Sequence, residues 1–78
     1  MRSYIIILTS ITYVHKAKDL LARNNINSHI VKLQASYERR GCGYGLEING
    51  GYIPQAVFLI ERNRIRIVEI QDSDYIDD

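Results

Sequence analysis

The sequence is poor in the residues that announce particular chemistries. Cys42 is its single cysteine, so an internal disulfide is excluded. The histidines are His15 and His29. One thiol and two imidazoles fall short of the four ligands of a tetrahedral metal site. There is no P-loop, no dinucleotide-binding glycine fingerprint and no pair of catalytic carboxylates. An enzyme built around a cofactor or a metal is therefore not expected. Charge of one sign is scarce as well. Ten basic residues face nine acidic ones, for a net charge of +1. That balance gives no general electrostatic reason to bind nucleic acid or an anionic membrane. Tyr4–Leu8 is apolar but far too short to span a bilayer. Met1-Arg2-Ser3 leads straight into it, without the pattern of a signal peptide. The expectation is a cytoplasmic protein with Cys42 as a free thiol.

The chain has 78 residues, of which 46% are hydrophobic. One domain, 1–78, is the natural division, with a core over about 3–70 and an acidic tail at 71–78. So small a core is marginal alone, and dimerisation through an exposed sheet edge or face is expected to help.

Periodicity supplies the elements. Tyr4-Ile5-Ile6-Ile7-Leu8 is a continuous β-branched run and predicts a central strand buried on both faces. Thr9-Ser10-Ile11-Thr12 offers hydroxyls suited to capping a helix. Val14, Ala17, Leu20 and Leu21 then recur at helical spacing, predicting a helix over Tyr13 to Asn25 that Asn24-Asn25 stops. His29 to Leu33 alternates and predicts a half-buried strand. Gln34 to Gly41 is polar and charged and predicts a loop. Gly43 to Ile48 predicts a third strand, with Tyr44, Leu46 and Ile48 on one face, and Asn49-Gly50-Gly51 a turn. Pro54 suits the first turn of a second helix, whose buried stripe is Ile53, Ala56, Val57 and Ile60 and whose end is Asn63. Ile65 to Ile70 alternates and predicts a fourth strand. The order βαββαβ predicts an α+β, ferredoxin-like sandwich: a four-stranded antiparallel sheet with two helices on one face.

That topology makes the first and third strands central and antiparallel. The start of the third strand then lies beside the end of the first. Cys42 is thereby expected near Thr9, Ser10 and the N-terminus of the first helix. Unpaired N–H groups and the positive end of the helix dipole favour a thiolate there. Gly41 and Gly43 remove steric cover on either side of the sulfur. Arg39 and Arg40 add positive charge from the same loop, and His15 and Lys16 from the helix. His15 is either a base for the thiol or an ordinary helix-surface residue. A lone cysteine can equally be an inert small hydrophobe.

Several of these residues carry a resemblance. Tyr4-Ile5-Ile6-Ile7 leads into Thr9-Ser10, a Lys-Ala-Lys-Asp-Leu-Leu helix and an Asn-Ile-Asn turn, and a later loop ends in Gly41-Cys42-Gly43. From Tyr4 to Ile70 the chain resembles the small selenium/sulfur carrier protein-like domains of the DUF3343 family. The Cys-Gly pair at the start of the third strand maps to Cys42 and Gly43. The family's Pro-Arg-Glu segment has no counterpart in Gln34–Arg40, which lacks the proline. The resemblance implies a carrier that holds sulfur or selenium on Cys42 as a persulfide or selenopersulfide, with donor and acceptor enzymes as partners.

Two rival readings stand beside it. A small sandwich can act without chemistry, dimerising or docking on a larger protein through its open sheet face. An RNA-binding sheet is the other. Arg40-Gly41-Cys42-Gly43-Tyr44 partly matches the basic, glycine and aromatic signature of such a third strand. Cysteine replaces its first aromatic, and the first strand offers only Tyr4, so nucleic acid is the weaker expectation.

Overall fold

The computed structural model describes residues 2–33 and 43–73. Its elements are β1 (Ser3–Leu8), α1 (Ile11–Arg23), β2 (Ser28–Lys32), β3 (Tyr44–Asn49), a 3-10 turn (Gly50–Tyr52), α2 (Ile53–Arg62) and β4 (Ile67–Asp72). The strands form one sheet in the order β2-β3-β1-β4, with every neighbouring pair antiparallel. This is the ferredoxin-like α+β sandwich that the pattern predicts.

Local chemistry sets the element ends. Ser10 has extended backbone, and its hydroxyl accepts a hydrogen bond from the Tyr13 N–H at 3.2 Å. It is the N-cap, so α1 begins at Ile11 and not at Tyr13. Asn24 closes the helix, and Asn25 follows in the left-handed region with φ of 63°. The helix thus ends two residues before the expected Asn25. The turn after α2 repeats this solution, with Asn63 as the cap and Arg64 at φ 62°.

The main core lies between the helices and one face of the sheet. Ile6, Leu8, Leu46 and Ile48 meet Val14, Ala17, Leu21, Ala56 and Ile60 there. The opposite face carries a smaller cluster of Ile5, Ile7 and Leu33, rimmed by Val31 and Val68. These three side chains are buried within the single chain. β1 is therefore covered on both faces, as its unbroken apolar run requires.

β4 departs from the sequence expectation. Strict alternation from Ile65 would put Ile65, Ile67 and Glu69 on one face. The register instead shifts between Ile7, which pairs with Glu69, and Leu8, which pairs with Ile67. The extra residue, Val68, turns toward the second cluster, while Ile67 packs on the main core. Ile65 precedes the strand and is buried in the main core. At its other end β4 runs on through Gln71 and Asp72, which pair with Ile5 and Tyr4. Asp72 also forms an ion pair with Arg2. The first residues assigned to an acidic tail thus belong to the sheet. Among the described residues, no helix is long and apolar enough to cross a membrane.

Candidate functional site

The end of the sheet where β1 finishes gathers three separate connections. Ile7 pairs with Gly45, and continuing that register sets Leu8 beside Tyr44. Tyr44 pairs on its other side with Lys32, and Leu8 on its other side with Ile67. Lys32, Tyr44, Leu8 and Ile67 therefore form one row across all four strands. One residue beyond that row stand Leu33, Gly43, Thr9 and Arg66.

Gly43 is held firmly there. Its carbonyl accepts a hydrogen bond from the Leu33 N–H at 2.9 Å. Its φ of 88° lies in the left-handed region, where any side chain is strained. Thr9 is exposed beside it, and Ser10 caps α1 directly after. The first turn of α1 carries no acidic residue to offset the positive end of its dipole. Gly43, Thr9 and Ser10 therefore stand at the same end of the sheet.

The remaining expectations divide in two. Cys42, Gly41, Arg39 and Arg40 lie outside the described residues. His15 is exposed on α1, next in sequence to the buried Val14 and so turned off the packed stripe. Its neighbour Lys16 lies over the Tyr13 ring, 5.8 Å from the centroid.

Three cations at this end escaped the sequence reading. Arg64 and Arg66 form the connection into β4, and Lys32 ends β2; all three are exposed. The signal was available, since arginine occupies 62, 64 and 66 just before a strand that the topology sets beside β1. Glu61 shares a shallow groove with Arg64 and Arg66.

The opposite end of the sheet is different in character. A half-open cavity of about 380 Å³ there is lined by Ser3, Asn25, Asn27, His29, Glu47 and Tyr52, among others. Ser3 donates its hydroxyl to Glu47 Oε2 at 2.7 Å, and Ser73 lies 3.0 Å from the Ser3 oxygen. His29 pairs with Glu47 across the strands. No group of three or more histidine, cysteine, aspartate or glutamate side chains suited to a metal ion occurs among the described residues.

Parity bears on the RNA reading. Tyr44 shares its side of β3 with Leu46 and Ile48, which face the helices. The described sheet residues on the second face are Ser3, Ile5, Ile7, His29, Val31, Leu33, Gly45, Glu47, Asn49, Val68, Glu69 and Gln71. They include no aromatic ring on which a base could stack.

Comparison with known proteins adds no relative: the chain matches no family model, no curated protein and no solved structure.

Proposed function

We propose that this chain is a sulfur or selenium carrier whose working group is the Cys42 thiolate. One observation carries the reading. Gly43, the residue after Cys42, leads into a central strand at the end of the sheet where β1 finishes and the Ser10-capped α1 begins. On this reading the electropositive terminus of the helix favours the Cys42 thiolate over the thiol.

The chemistry asked of the thiolate is a sulfur transfer without net oxidation. It attacks the outer sulfur of a donor persulfide, E–S–SH. A new sulfur–sulfur bond forms on Cys42, the donor's sulfur–sulfur bond breaks, and the donor leaves as E–S⁻. The products are Cys42–S–SH and a donor thiolate. Transfer to an acceptor thiolate repeats the step in the opposite sense, and selenium follows the same course from a selenopersulfide. No group on this chain turns over, so the protein is a carrier and not a catalyst.

The test is loading by a cysteine desulfurase with L-cysteine, read by intact mass. The unaltered chain gains a sulfur atom that thiol reductant removes, and Cys42→Ala, still folded, gains none. The rival interaction module draws support from Phe58 on α2, which is 58% exposed. Its proposed open face is less inviting, because Ile5, Ile7 and Leu33 are already buried there. A module of that kind tolerates Cys42→Ala without loss of its partner.

A further inference from the structure

Resting on the carrier reading, we infer that the Gly43 end of the sandwich is a docking surface for an acidic partner protein, with Arg64 and Arg66 as its principal charges.

The placement follows from register. Ile67 and Tyr44 flank Leu8 on its two sides, so their strands lie two spacings apart, about 10 Å. Arg66 and Gly43 each stand one residue beyond that row. Arg66 is therefore about 10 Å from Gly43, the residue that follows Cys42 in sequence, a span well inside the footprint of one protein contact.

The backbone that carries the two arginines is hydrogen-bonded in place. Arg64 takes the left-handed conformation at φ 62°, and its N–H bonds to the Glu61 carbonyl at 2.9 Å. Ile65 between them is buried in the core, and its N–H bonds to the Ile60 carbonyl at 3.2 Å. The backbone is fixed while both guanidinium groups reach solvent. Neither makes an ion pair among the described residues. Arg62, stacked 5.9 Å from the Phe58 centroid, and Lys32 add charge at the same end. The acidic groups nearby are Glu61, in the groove of Arg64 and Arg66, and Glu69, two residues into β4. Among the described residues, the four cations outnumber these two acids.

Among the described residues, cations are in excess at the Gly43 end of the sheet. Glu47 and Asp72 stand at the far end, where Asp72 is neutralised by Arg2. This arrangement orients the molecule toward a negative surface with the Gly43 end leading. Protein and not nucleic acid fits it, because the adjoining sheet face has no described aromatic on which a base could stack.

The test compares the unaltered chain with an Arg64→Asn, Arg66→Glu variant and with an Arg64→Lys, Arg66→Lys variant. Asparagine is chosen at 64 because it tolerates the left-handed backbone. The readout is the second-order rate of Cys42 loading by a cysteine desulfurase across salt concentration, beside the rate of Cys42 alkylation by iodoacetamide, a neutral small molecule. The inference predicts loading slowed about tenfold or more in the Asn/Glu variant at low salt, with its salt dependence flattened. The Lys/Lys variant loads nearly as the parent does, and alkylation is the same in all three.

Equal loading by parent and Asn/Glu variant overturns the docking surface and leaves the carrier intact. Alkylation slowed in step with loading overturns it too, because the arginines then act on the sulfur itself. A parent chain that is never loaded overturns both readings. Binding of a single-stranded RNA oligonucleotide that the Asn/Glu variant abolishes assigns the patch to nucleic acid and overturns the protein partner.

Discussion

Gly45→Ala is the sharpest test of the packing. Gly45 sits in β3 opposite Ile7, on the side of the second cluster. A Cβ there would stand 2.5 Å from Ile5 Cγ2, 3.2 Å from the Ile6 carbonyl oxygen and 3.4 Å from Leu33 Cδ2. The first contact is impossible without movement. Ile5 is β-branched, stiff at χ1 and buried, so the methyl has little room to rotate away. The carbonyl belongs to the β1 backbone and is fixed by the sheet. Overpacking of this kind costs about 1–3 kcal/mol. The alanine gains back up to about 1 kcal/mol by restricting the unfolded chain. The net expectation is a loss of about 1–2 kcal/mol. For a domain of this size total stability is about 4–12 kcal/mol, and the loss lowers the Tm by about 4–16 °C. Thermal unfolding followed by circular dichroism reads it directly. The same substitution in an Ile5→Leu background, where the branched methyl is gone, should cost less than half as much. A Tm that holds or rises, or a penalty unchanged by Ile5→Leu, refutes the close approach of β3 to β1 at this point.

Two further substitutions probe other elements. Ser10→Ala removes the hydroxyl that caps α1 and is expected to cost about 1 kcal/mol in denaturant unfolding; a loss within error of zero means that the cap is not formed. Ser28→Ala is expected to act in the opposite sense. Ser28 is buried on β2 and its hydroxyl finds no hydrogen-bond partner among the described residues. Alanine removes that desolvation and should stabilise the fold by about 1 kcal/mol; a clear destabilisation shows that the hydroxyl is satisfied.

The fold was legible because its signals are of different kinds and agree. The apolar run of β1, the helical stripe led by Val14, Ala17 and Leu21, and proline at the start of α2 each point to one element, and together they admit few topologies. The element ends were harder to read. A hydroxyl-rich run such as Thr9-Ser10-Ile11-Thr12 contains three possible caps, and only the backbone of Ser10 decides among them. The bulge at Val68 left no mark in composition. It arises from pairing with β1, and a period read along one strand is blind to its neighbour.

The candidate site was legible in the same uneven way. That Gly43, Thr9 and Ser10 share one end of the sheet follows from topology alone. The charges of Lys32, Arg64 and Arg66 were in plain view, but they occupy the ends of two different strands. Only the register shows that they share an end with Gly43.

The carrier account rests on an activated and accessible Cys42, and its most direct test is the rate of Cys42 alkylation by iodoacetamide against pH. The folded protein is compared with the chain unfolded in denaturant. The account predicts ready reaction of the folded protein, with a rate profile displaced to lower pH than that of the unfolded chain, because the start of α1 favours the anion. A folded protein whose sulfur is protected, or whose profile coincides with that of the unfolded chain, contradicts the account and leaves the interaction module as the better description.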